Sequence, residues 1–210
     1  MLMNQEEIVS MIIEARDNGS STLSLSGKEL EVLPPEIGQL TSLVELDLGL
    51  NELTELPPEI GNLTNLTNLK ADRNRLKTLP PEIGNLRDLT QLNVGANDLT
   101  ALPPEIGNLT NLTNLQLGHS RMFHRHNQLT KLPPEIGNMA SLTWLPAEIG
   151  NLNDLAELFL EDNRLKELPC ELERLTGLSI LYLFGNELGQ SDFDFSRLAN
   201  LTHVLIETPR

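Results

Sequence analysis

The chain has 210 residues, 30 acidic against 15 basic, and a net charge of −15. A surface of that sign repels phosphate backbones and anionic headgroups, which sets nucleic acid and membrane surfaces aside as partners. No run approaches the ~18 apolar residues of a bilayer span, and a single cysteine, Cys170, excludes an internal disulfide.

The first element in chain order is a helix predicted over residues 4–17. Ile8, Met11, Ile12 and Ala15 recur at helical spacing, while Glu6, Glu7, Glu14 and Arg16 fall largely on the other side. This pattern predicts an N-terminal cap, residues 1–19, covering the apolar core of the first coil, whose strand is read at Leu23 to Leu25. The same segment places acids before its short apolar stretch and offers neither a basic start nor a small-residue cleavage site. It is not read as a secretory signal, and with one cysteine the expected location is cytoplasmic.

A phrase, Leu-Pro-x-Glu-(Ile/Leu), then begins at Leu33, Leu56, Leu79, Leu102, Leu132, Leu145 and Leu168, at intervals of 23, 23, 23, 30, 13 and 23 residues. Within residues 56–78, the alternation Leu69-Lys70-Ala71 turns Leu69 and Ala71 inward and Lys70 outward, as a brief parallel strand requires. Asn74 stands next, where the chain bends away, and its amide suits backbone groups that a bend leaves unpaired. The equivalent positions predict a structural ladder of Asn51, Asn74, Asn97, Asn127, Asn163 and Asn186. After the turn, Pro80 and Pro81 suit the first turn of a short helix, Glu82 its positive end, and Gly84 a tight bend. Ile83, Leu86 and Leu89 then recur at three-residue spacing.

Each unit so defined buries about seven aliphatic side chains, worth roughly 1.5–3 kcal/mol apiece before conformational entropy is subtracted. None stands alone. A period of this length carrying LxxLxL and then Asn marks a leucine-rich repeat solenoid. The predicted fold is α/β: a horseshoe with short parallel strands on the concave face, short helices or 3-10 turns on the convex face, and the N-terminal helical cap. One domain spans 1–210, comprising the cap (1–19), regular repeats (20–117), an irregular repeat with an insertion (118–157) and C-terminal repeats (158–210). The repeat phase runs on through Phe195, Leu198, Leu201, Val204 and Ile206 with no evident cap, which raises self-association through that end as an expectation.

The irregularity has two parts. About seven extra residues, SRMFHRH or its neighbourhood, precede Asn127, and then GNMASLTW runs directly into LPAEIG without a strand or Asn. Either one coil of 43 residues bulges outward, or a regular coil is succeeded by an unusual one of 20. The single bulged coil is the preferred reading, because no LxL stands midway between Leu115 and Leu158.

Outward strand positions line the concave face. In the early coils they are Thr22, Ser24, Glu45, Asp47, Asn68, Lys70, Gln91, Asn93, Asn114 and Gln116, polar and without distinctive features. All seven aromatic residues lie after residue 122, and the late coils present Glu157, Phe159, Glu161, Ile180, Tyr182, Phe184, His203 and Leu205. Aromatic and aliphatic groups on a solvent-facing sheet are what protein interfaces use as anchors. The partner-binding candidates are therefore Phe159, Tyr182, Phe184, Ile180, Glu157, Glu161 and Leu205.

Catalytic residues are not expected. Glu36, Glu59, Glu82, Glu105, Glu135, Glu148 and Glu171 occupy one repeated position, and carboxylates in equivalent settings have no reason to separate their pKa values into an acid and a base. Cys170 has no histidine near it in sequence. His119, His124 and His126 form an HxxxxHxH cluster that a folded-back loop could turn toward zinc or nickel. No cysteine or acid lies within that segment and Arg121 and Arg125 repel a cation, so no metal or other cofactor is expected.

With LPPEIGNLTNLTNL at Leu56 and again at Leu102, residues 4–206 resemble the Ras-group leucine-rich repeats. The opening EEIVSMIIEARDNGSSTLSLSGKELEVLPPEIG is similar to the repeat regions of bacterial Roco-type proteins, where such repeats precede a Ras-like GTPase domain. The GxxxxGK[ST] of a GTPase is absent. The resemblance implies protein recognition in bacterial signalling. The expected function is a non-catalytic protein-interaction scaffold that binds a protein partner on its concave face. The alternative is a regulatory fragment of a multidomain Roco-type GTPase, and a secreted adhesin or effector stands third.

Overall fold

A computed structural model describes residues 5–117, 127, 133, 135, 143–145, 149–150, 157–160, 165–189 and 193–206. The chain opens with helix α1 (Gln5–Asp17). Among the described residues eight three-residue strands come after it: β1 (Thr22–Ser24), β2 (Glu45–Asp47), β3 (Asn68–Lys70), β4 (Gln91–Asn93), β5 (Asn114–Gln116), β6 (Glu157–Phe159), β7 (Ile180–Tyr182) and β8 (His203–Leu205). All pair in parallel with their sequence neighbours, as a five-stranded sheet β1 to β5 and a three-stranded sheet β6 to β8. In the first sheet each residue lies beside its equivalent one repeat on, Leu23 by Leu46, then Leu69, Leu92 and Leu115. Registry is thus inherited from the period of the sequence. The architecture is a leucine-rich repeat solenoid.

The opposite side is built from 3-10 turns at Pro35–Gln39, Pro58–Asn62, Pro81–Asn85, Pro104–Asn108, Cys170–Arg174 and Phe195–Arg197. The first proline of each pair is extended rather than helical, as Pro80 shows with φ −67° and ψ 146°; the second opens the turn. At Cys170 no proline stands in the opening position and the turn still forms. The helical stretch is shorter than the Ile83, Leu86, Leu89 spacing suggests. It ends at Asn85, and Leu89 reaches the core through a further hydrogen bond from its N–H to the Leu86 carbonyl, 2.9 Å.

One continuous apolar core runs through the stack. In the unit that begins at Leu56, the buried set is Leu56, Ile60, Leu63, Leu66, Leu69, Ala71 and Leu76. At the N-terminal end α1 closes the core with Ile8, Ile12 and Ala15, all buried, and packs on the first 3-10 turn. At the other end Val204 and Ile206 stand where Leu69 and Ala71 stand in an inner coil; they are 37% and 36% exposed against 1% and 0%.

Glycine in the Pro-Glu-Ile-Gly phrase does not serve as a bend. Among the described glycines of this phrase none has positive φ. A Cβ on Gly84 would sit 2.4 Å from the Glu105 carbonyl oxygen and 2.8 Å from the Glu105 Cβ, and Gly38 and Gly61 meet Glu59 and Glu82 in the same way. The residue is there so that the next coil can touch the backbone.

Positive φ falls instead just before ladder asparagines, at Leu50, Arg73, Ala96 and Gly185, and at Gly27, the matching position of the first coil, where Lys28 follows. Three of these are not glycine and so carry the left-handed penalty. Their backbone N–H groups are committed, Gly27 to the Gly49 carbonyl, Leu50 to that of Asp72 and Arg73 to that of Gly95, each at 3.0 Å.

Asn127 shows how the chain absorbs the irregularity. Asn97 accepts from the Leu76 N–H and donates to the Ala71 and Val94 carbonyls, at sequence separations of 21, 26 and 3 residues. Asn127 accepts from the Leu99 N–H and donates to the Val94 and Leu117 carbonyls, at separations of 28, 33 and 10. Every separation is longer by seven. The added residues thus lie between Leu117 and Asn127, leaving the ladder contacts intact. Glu135 packs on Gly107, and Glu171 on Gly150, as in the regular coils.

Candidate functional interface

The concave sheet is the surface on which outward side chains of successive coils align, and its polarity changes along the stack. Strands β2 to β7 bury their central residues, from Leu46 to Leu181, and in β2 to β5 and β7 the first and third residues are exposed or half-buried. The third position reads Ser24, Asp47, Lys70, Asn93 and Gln116 across the first sheet. In the second sheet the same position reads Phe159, Tyr182 and Leu205. A polar column in the N-terminal half therefore gives way to an aromatic and aliphatic one.

What holds the face in shape is the row of asparagines behind it. Asn51 accepts from the N–H groups of Lys28 and Leu30 and donates to the carbonyls of Leu25, Leu48 and Gly49. Asn74 accepts from the Leu53 N–H at 3.0 Å and donates to the carbonyls of Leu48, Ala71 and Asp72. Asn186 accepts from the Leu165 N–H at 3.0 Å and donates to the carbonyls of Leu160 and Leu183. Each side chain spans two coils, so no strand shifts without breaking bonds in its neighbour. Asn163 lies outside the described residues. A second set of rungs runs from Asn65, Asn111 and Asn200 to the carbonyls of Thr41, Arg87 and Thr176. At the matching position Asp88 has a carboxylate and cannot donate.

Of the partner-binding candidates, Ile180 and Tyr182 are half-buried on β7, and Phe184, two residues further on, is 36% exposed. Backbone register sets Glu157 and Phe159 on β6 beside Ile180 and Tyr182, and Leu205 on β8 beside Tyr182. Glu161 lies outside the described residues. So do His119, His124 and His126, and among the described residues no three His, Cys, Asp or Glu side chains come together as a cation site.

Cys170 is exposed, with Sγ 3.4 Å from the Glu171 carboxylate. The shifted titrations belong to a surface pair. Asp194 accepts from the Ser196 hydroxyl and N–H, which holds its carboxyl below the usual range. Arg197, bonded to Glu173 at 2.7 Å, is raised by that contact.

The leucine-rich repeat family model matches residues 42–63. No curated protein matches the chain. Among solved structures the chain is similar to a leucine-rich repeat protein of Leptospira interrogans, at 32% identity and TM-score 0.47, over 94% of this chain and 65% of that one. It therefore spans less than two thirds of that protein. It is also similar to an internalin, InlF, of Listeria monocytogenes, at 24% identity and TM-score 0.50, over 96% of this chain and 67% of that one. The repeat domain of the type III effector XopL gives 24% identity and TM-score 0.56, over 96% of this chain and 81% of that one. The last two likenesses are of fold, and that fold is the leucine-rich repeat.

Proposed function

We propose that the chain is a non-catalytic scaffold that binds a protein partner on its concave sheet, chiefly through the C-terminal half. The observation that carries the reading is the alignment of Phe159, Tyr182 and Leu205 at one strand position, where the first sheet carries Asp47, Lys70, Asn93 and Gln116. Apolar and aromatic groups clustered on a rigid, solvent-facing sheet lose little conformational freedom on binding and gain the burial that anchors interfaces. Ile180 and Phe184 extend the patch, Glu157 lies beside Ile180 in the register, and Glu161 joins the proposed surface by its place in the sequence alone. The repeated glutamates, in equivalent settings on the other side, support a structural rather than a chemical role.

The setting we propose is bacterial signalling in the cytoplasm, on the strength of the Ras-group phrase and the Roco-like opening. A regulatory segment of a larger Roco-type GTPase is the second reading, favoured by the same opening; a reading frame that continues into a P-loop would select it. Export of the full-length product would select an adhesin or effector instead. Affinity capture with wild type and with Phe159→Ala/Tyr182→Ala/Phe184→Ala tests the surface, with unchanged far-ultraviolet circular dichroism as the control for folding. The variant is expected to lose a partner that wild type retains; equal recovery rejects the patch.

A further inference from the structure

Strands β3 to β5 carry a field of side chains unlike the rest of the concave face. Asn68, Gln91 and Asn114 stand in one column and Lys70, Asn93 and Gln116 in the next, five primary amides and one ammonium around a shallow hollow of about 50 Å³. Two of the amides are oriented by their own chain. Thr67 Oγ1 donates to Asn68 Oδ1 at 2.8 Å, and the Gly95 N–H donates to Asn93 Oδ1 at 3.1 Å. With both oxygens engaged, the NH2 groups are the ends left to donate outward. Lys70 is exposed and forms no ion pair among the described residues. It is the one lysine or arginine at their outward strand positions. Its neighbour Asp47 spends Oδ1 on the Gly49 N–H, 2.9 Å away.

Three donors, one of them cationic, match a particular group. We infer that this field is a carboxylate subsite, which takes an acidic side chain of the protein partner. Lys70 opposes its charge, and Asn68 Nδ2 and Asn93 Nδ2 donate to its oxygens. The inference rests on the concave face being the binding surface, and adds the partner's chemistry at one point on it.

The surrounding charge does not forbid it. At physiological salt, charges beyond a Debye length of about 8 Å are screened, whereas Lys70 acts at contact. Glu45 and Asp47 on β2 push an acidic group toward the β4 side, where the amides are. An exposed ion pair alone contributes little, so the oriented amides supply the selectivity, through charge-assisted hydrogen bonds that a neutral ligand does not make.

The test uses 15N-labelled protein titrated with N-acetyl-glutamate N′-methylamide and, separately, with the glutamine analogue. The side-chain NH2 signals of Asn68 and Asn93 are expected to shift saturably with the glutamate compound, and several-fold less with the glutamine compound. Lys70→Met is expected to erase the difference while leaving the backbone amide spectrum in place. Equal responses to the two compounds, no response to either, or discrimination that survives Lys70→Met would each overturn the subsite. In the affinity capture, a partner lost by the aromatic variant but retained by Lys70→Met would reject this subsite and leave the concave-face reading standing.

Discussion

Replacing Asn74 by alanine isolates what one rung of the asparagine ladder contributes. The carbonyls that Asn74 donates to all keep a second donor: Leu48 O from Asn51 Nδ2, Ala71 O from Asn97 Nδ2, and Asp72 O from the Leu50 N–H. The Leu53 N–H has only Asn74 Oδ1, and Leu53 is fully buried. The substitution therefore orphans one buried donor, at about 1–3 kcal/mol, and forfeits hydrogen bonds worth about 1 kcal/mol each, so a loss of about 3 kcal/mol is expected. With a urea slope of about 1–3 kcal/mol/M, the unfolding midpoint monitored by circular dichroism falls by about 1 M or more.

Asn74→Asp sharpens the test. One carboxylate oxygen still accepts from the Leu53 N–H, while the other faces the carbonyl oxygens of Leu48, Ala71 and Asp72. Burial against those oxygens raises its pKa above the unfolded value of about 3.9. The variant is then nearest to wild type below that unfolded value and loses ground as pH rises toward the folded pKa. Two results would refute the reasoning: an Asn74→Ala midpoint within about 0.3 M of wild type, or an Asn74→Asp deficit that does not grow between acid and neutral pH.

Two glycine substitutions separate close approach from backbone twist. Gly84→Ala drives a methyl into the Glu105 backbone, which cannot rotate away, and is expected to cost about 1–3 kcal/mol or more in urea unfolding. Gly27→Ala meets no atom within 4 Å but must hold φ +65°, so its cost is about 1–2 kcal/mol, from conformation alone. For Asp194, whose carboxyl is held low by Ser196, the contribution to the last turn is present above the usual carboxylate range and fades as pH falls through its depressed value. The protection factor of the Ser196 amide, its exchange relative to the intrinsic rate at the same pH, is expected to fall in that acid range, and in Asp194→Ala to be lower at every pH above it.

The period of the phrase and the alternation within each strand were enough to read the solenoid, because in a stack of equal coils one register serves every pair. The outward strand positions from Thr22 to Gln116 stand where alternation puts them. Less legible was the role of glycine. From residues 79–89 Gly84 reads as a bend, but a bend is a property of its own dihedral angles, whereas the constraint comes from Glu105 one coil away. The left-handed column was hidden for the opposite reason: Leu50, Arg73 and Ala96 advertise no positive φ, and only Gly27 and Gly185 do. Along the concave face the aromatic residues drew attention by type. The amides of Asn68 and Asn93 matter through which end Thr67 and Gly95 engage, and that is a matter of contacts rather than composition.

The contact of each Pro-Glu-Ile-Gly glycine with the next coil also governs curvature. Strands on the inner side are held about 4.8 Å apart by their hydrogen bonds, so the bend of the stack depends on how thick the coils are on the outer side. A side chain at Gly38, Gly61, Gly84 or Gly107 would wedge the outer edges apart and tighten the arc. Without one, the outer side closes to backbone contact and the arc opens. Four hydrogen atoms on the side remote from any ligand thereby limit how strongly curved a partner surface the sheet can embrace.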